Sequence, residues 1–94
     1  MNNLNVDYRF SVAPMMGVTT PSARYMYRLI SKEAVLFTEM IASQALHRGD
    51  YKKLLRKENI EKPVILQVGG SDIGLLKYST ILANKFDYQG INLN

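Results

Sequence analysis

Gly90-Ile91-Asn92-Leu93-Asn94 ends in two amides spaced two residues apart. In a strand, side chains at that spacing share a face, so Asn92 and Asn94 lie on one side and Ile91 and Leu93 on the other. A buried amide without a hydrogen-bond partner costs roughly 1–3 kcal/mol, so such a pair is satisfied by a neighbour, by water or by a ligand. Taken alone, the five residues also fit an exposed strand end. Three other places raise the same question. Glu39 follows the apolar run Val35-Leu36-Phe37, Gln67 interrupts Val64-Ile65-Leu66, and Pro14-Met15-Met16 follows Phe10-Ser11-Val12-Ala13. Glu39 is either a solvated rim residue or an acceptor inside a cleft. Gly69-Gly70 ahead of Ser71-Asp72 lets the backbone turn tightly or approach a ligand, but it lacks the full spacing of a nucleotide loop. His47 is the only histidine and sits beside Arg48, which reads as surface. With no cysteine in the 94 residues, disulfides, thiolate metal sites and a cysteine nucleophile are excluded from them, and no metal site is expected.

Elements must bring these positions together. Phe10–Ala13 reads as a short strand stopped by Pro14, and Met15–Thr19 as a loop. Thr20-Pro21 is a helix start, a capping hydroxyl followed by proline at the first helical position. Beyond it Ala23, Met26, Tyr27 and Ile30 fall at helical spacing as the apolar side of about three turns, with Arg24, Arg28 and Lys32 on the other. Ala34–Met40 is the second strand. Residues 41–48 and 50–57 read as helical, interrupted at Gly49-Asp50, and Pro63–Val68 is the third strand. Leu75, Leu76, Ser79, Leu82, Ala83 and Phe86 make the stripe of a helix, and the chain returns to a fourth strand at Ile91. This alternation predicts an α/β fold of parallel strands joined by crossovers, whose C-terminal ends share one face. Pro14, Met15, Glu39, Gln67, Asn92 and Asn94 all fall at those ends, where ligands bind in barrels and open sheets alike.

The composition is that of a globular chain, 47% hydrophobic and 21% charged, of one small domain at most. No apolar run approaches the roughly 18 residues that span a bilayer, and the first ten residues do not resemble a secretory signal, so the expected place is the cytoplasm. Arg48, Lys52, Lys53, Arg56 and Lys57 against Asp50 account for the whole net charge of +4. Such a cluster could attract phosphates, but with no aromatic stacking platform beyond Tyr51 a solvated helix face is the stronger reading of it taken alone.

Four stretches taken together carry a resemblance: Ala13-Pro14-Met15-Met16, Leu36-Phe37-Thr38-Glu39-Met40, Leu66-Gln67-Val68-Gly69-Gly70-Ser71-Asp72 and Gly90-Ile91-Asn92-Leu93-Asn94. In order and spacing, over about residues 9 to 94, the chain resembles the N-terminal part of a flavin-dependent tRNA-dihydrouridine synthase, most similar to the A-type subfamily. The resemblance implies the first four or so βα units of a TIM (β/α)8 barrel, a fold of about 250 residues. The C-terminal half-barrel and the helical tRNA-binding domain would lie outside residues 1–94.

The family reduces D-loop uridines of tRNA, here by implication uridines 20 and 20a, using FMN with NADPH as reductant. Pro14, Met15 and Met16 would line the FMN, and Gln67 would bond the isoalloxazine edge. Asn94 would face the flipped-out uracil, with Glu39 and Asn92 as cleft-lining residues. In the family the flavin gives hydride to C6 of uracil while a cysteine, three residues past the Asn-Leu-Asn end in a Gly-Cys-Pro sequence, protonates C5. That cysteine would lie beyond Asn94, so the 94 residues alone are expected to be inactive. Where the subfamily has an acidic residue, tryptophan, threonine and aspartate, this chain has Gly17, Val18, Thr19 and Thr20. Uncovered strand edges and helix faces predict self-association. Two other readings stay open: another FMN-binding barrel of the dihydroorotate dehydrogenase kind, or a non-catalytic remnant whose Arg48–Lys57 cluster binds RNA.

Overall fold

The computed structural model describes residues 10–94. The strands are β1 (Ser11–Val12), β2 (Val35–Phe37), β3 (Ile41–Ala42), β4 (Val64–Gly69) and β5 (Gly90–Leu93). The helices are α1 (Pro21–Ile30), α2 (Ser43–Arg48), α3 (Tyr51–Leu54) and α4 (Ile73–Lys85), with a 3-10 turn at Asn59–Glu61.

Every pairing is parallel: β1 on β2, β2 and β3 on β4, and β4 on β5. Ile65 pairs with both Phe37 and Gly90, and Val68 with both Ile41 and Leu93. Strands β2 and β3 therefore lie end to end along the same side of β4.

The expected strand over Ala34–Met40 is thus broken, and the helix expected from residue 41 begins only at Ser43. The cause is local. Gln67 N–H goes to the Thr38 hydroxyl at 3.1 Å instead of to a backbone carbonyl, and that hydroxyl in turn donates to the Glu39 carbonyl at 2.7 Å. The Thr38 N–H still reaches the Ile65 carbonyl at 3.0 Å, but residues 38–40 form no strand and pairing with β4 resumes at Ile41.

Val64, Leu66 and Val68 alternate onto one face of β4 and pack with Leu46 of α2, Leu55, Leu82 and Ala83 of α4, and Tyr88. The α4 stripe behaves as its spacing predicts, with Ser79, Leu82 and Ala83 buried and Asp72 capping the Leu75 N–H at 3.0 Å. Tyr88 closes the core by donating its hydroxyl to the Leu55 carbonyl at 2.9 Å. Between Tyr51 and Lys57 only Tyr51–Leu54 is helical, shorter than the expected 50–57.

Helix α1 starts as its sequence predicts, with Thr20 accepting from the Ala23 N–H at 3.2 Å and Pro21 in the first turn. Its orientation reverses the expectation. Arg24 and Arg28 are buried, while Met26, Leu29 and Ile30 are 61%, 61% and 80% exposed. Burial of two guanidinium groups is tolerated because their donors find acceptors. Arg24 bonds the Glu61 carboxylate and the Thr19 carbonyl, both at 2.8 Å. Arg28 donates to the carbonyls of Ser31, Ala34, Glu61 and Pro63. Burial pushes the Arg28 pKa down, and the Glu61 charge opposes that shift.

Candidate functional site

The chain leaving β1 forms a tight turn that its own hydroxyl braces. Thr19, fully buried, accepts from Met15 N–H at 3.0 Å and donates to the Met15 carbonyl at 3.1 Å. The Val18 and Thr19 N–H groups return to the same carbonyl at 3.0 and 2.9 Å. Gly17 takes φ +73° at the top of the turn, a conformation that favours glycine. Its N–H donates to Glu39 Oε2 at 2.6 Å, which ties this loop to the interruption between β2 and β3. The open question about Glu39 resolves as a half-buried acceptor. Met15 and Met16 are 43% and 71% exposed, and Pro14 is half-buried.

On the neighbouring strands Gln67 and Asn92 stand opposite each other in register. Gln67 Nε2 donates to Asn92 Oδ1 at 2.9 Å, and both side chains are half-buried. They alternate with Leu66 and Val68 and so point to the face of the sheet away from α2 and α4. The pair leaves N–H donors on both amides and the Gln67 carbonyl as acceptor. Asn94 follows β5; its N–H reaches the Val68 carbonyl at 2.9 Å and its Nδ2 lies 2.9 Å from Met40 Sδ.

The strand ends therefore connect through Gly17 to Glu39, Thr38 to Gln67, Gln67 to Asn92, and Asn94 to Met40. They do not all line one enclosed hollow. A cleft of about 310 Å³ holds Met16, Glu39 and Met40 with Arg24 and Thr38, while Gln67, Asn92 and Asn94 lie outside its lining. Thr19, Thr38 and Gly17, quoted above only within motifs, turn out to hold the site together. A hydroxyl at a strand end and a glycine where the related pattern has an acidic residue were the available signals.

Gly69-Gly70 serves close packing. A Cβ on Gly69 would sit 2.8 Å from Met40 Sδ, and one on Gly70, at φ +149°, would collide with the Ser43 hydroxyl. The Arg48–Lys57 cluster is divided. Arg48 lines a hollow with His47 and the start of α4, whereas Arg56 and Lys57 line another beside Pro21, Ser22 and Tyr25. Lys57 Nζ lies 5.3 Å from the Tyr88 ring centroid, and burial lowers its pKa against the attraction of Asp87. His47 packs edge-on against Tyr78, with ring centroids 5.6 Å apart. Among the described residues no group of three or more His, Cys, Asp or Glu side chains could hold a metal ion. No helix there is long and apolar enough to cross a membrane.

Residues 11–94 match the model of the family described as Dihydrouridine synthase (Dus). The chain belongs to the dihydrouridine synthase family. It is 45% identical over 86 residues to the tRNA-dihydrouridine(20/20a) synthase of Pseudomonas syringae pv. tomato, covering 92% of this chain and 26% of that protein. To the enzyme of the same name from Xylella fastidiosa strain Temecula1 it is 42% identical over 88 residues, 94% of this chain and 26% of the relative. The Synechocystis relative of that name is 44% identical over 84 residues, 89% and 25% of the two chains. The chain spans about a quarter of the length of these curated relatives. Dihydrouridine synthases are TIM barrels, and the parallel sheet with helices following its strands is the N-terminal part of that fold.

Proposed function

We propose that this chain builds the first wall of the flavin site of a tRNA-dihydrouridine synthase that reduces uridines 20 and 20a with FMN and NADPH. The observation that carries the reading is the Gln67–Asn92 amide pair, on the sheet face away from the helices, in a family whose relatives bear that activity in their names. A flavin pyrimidine edge alternates carbonyl acceptors with one N–H donor. The donors on the two amides and the Gln67 carbonyl match that alternation.

Pro14, Met15 and Met16 would lie along the flavin on the braced turn, and Asn94 at the end of β5 would face the uracil. Glu39 and Asn92 act as partners of these groups. When bound, FMN supplies the hydride; the residues here bind and orient. The proton donor expected in the family is a cysteine, and none is among the 94 residues. Purified chain given FMN, NADPH and unmodified tRNA should form no dihydrouridine by nucleoside mass spectrometry; product above background would overturn the division of labour proposed here.

The outer edge of β5 pairs with no strand among the described residues, and Met26, Leu29 and Ile30 are exposed. These surfaces favour self-association of the isolated chain. Sedimentation velocity should show species larger than monomer, and a single monomeric boundary across concentrations would contradict this.

A further inference from the structure

We infer that Glu39 is a positioning residue that holds the β1–α1 turn in place at the mouth of the sheet. The inference deepens the flavin reading and rests on it for its functional meaning. The turn is fixed at two ends by different means. At its base, Thr19 closes on Met15, and Arg24, itself locked on Glu61, takes the Thr19 carbonyl. That side is buried and belongs to the packing of α1. At its tip nothing on α1 reaches Gly17. The group that does is the Glu39 carboxylate, 22 residues along the chain, at 2.6 Å from the Gly17 nitrogen.

The bond is exposed to solvent, yet a charged acceptor at that distance is stronger than a neutral one, and it joins the chain after β1 to the chain after β2. The backbone from which Glu39 reaches Gly17 is held in place, because its carbonyl accepts from buried Thr38, whose hydroxyl also takes the Gln67 N–H. One short path therefore links the tip of the Met15-Met16-Gly17 turn to Gln67 and on to Asn92. Glu39 sets how far Met15 and Met16 stand over the strand ends. Gly17 suits this arrangement, since its positive φ aims the N–H at the carboxylate and no atom lies within 4 Å of where a Cβ would be.

The test is amide hydrogen exchange by NMR on the 94-residue chain, with Glu39→Ala and Glu39→Gln variants, without and with FMN. In the wild type, Gly17 should exchange on the order of tenfold or more slowly than in Glu39→Ala, with strand amides such as Leu66 unchanged. Glu39→Gln keeps an oxygen acceptor at the same reach and should restore most of that protection. FMN should bind several-fold more weakly to Glu39→Ala than to wild type or Glu39→Gln. A Gly17 amide in the wild-type chain that exchanges at the rate of an open loop would overturn the inference, even if no variant folds. Protection at Gly17 with no FMN response anywhere would instead sink the flavin reading and leave the brace standing. FMN binding of equal strength in all three chains would sink the positioning role.

Discussion

Glu61 is the residue on which the lower half of this fold turns. Its carboxylate is 1% exposed, pairs with Arg24, and receives the Glu58 N–H at 2.7 Å, while its backbone carbonyl receives Arg28. A buried pair of this kind adds little over a hydrophobic replacement, but removing one partner leaves the other charged and dry. Glu61→Ala should therefore cost about 3–5 kcal/mol in urea unfolding, a large share of the stability of a domain this small. The double change Glu61→Leu with Arg24→Met should cost clearly less than the single one. Equal losses from the two would show that the charge pair is not what the packing depends on. Because Arg24 also holds the Thr19 carbonyl, the loss should be felt in the turn that carries Met15 and Met16.

Among the elements, α4 and α1 show what the sequence could and could not reveal. The α4 stripe names its buried residues because they face the apolar side of β4, and spacing alone reports that. Helix α1 has an equally regular pattern, yet it buries the arginine side. The reason is Glu61, 37 residues from Arg24, which no local window contains. The split of β2 from β3 was hidden for a similar cause, since it depends on Thr38 meeting Gln67 across the sheet. The strand-end residues were legible because parallel strands place all their C-terminal ends together, whatever the detailed pairing.

The segment from Lys57 to Tyr88 adds a titratable lock to the same layer. Burial raises the Tyr88 pKa well above its ordinary value of 10.0, so the folded chain holds that proton where the unfolded chain has released it. Its contribution is complete below pH 10 and is lost as pH rises from there towards the folded value. Urea midpoints should fall above pH 10 more steeply for wild type than for Tyr88→Phe. Parallel curves would show that Tyr88 is not buried as a neutral hydroxyl.

At the scale of the molecule, helices cover one side of the sheet, while the other side carries Gln67 and Asn92 near the strand ends. The central claim is that these ends form one recognition surface for the flavin, despite being joined by hydrogen bonds and not by a single enclosed cleft. Titrating FMN into isotope-labelled chain and following amide resonances tests this most directly. Shifts should concentrate at Met15–Gly17, Gln67 and Asn92–Asn94, including the side-chain amides of Gln67 and Asn92. Shifts confined to the Arg48–Lys57 cluster, or none at saturating FMN, would contradict it.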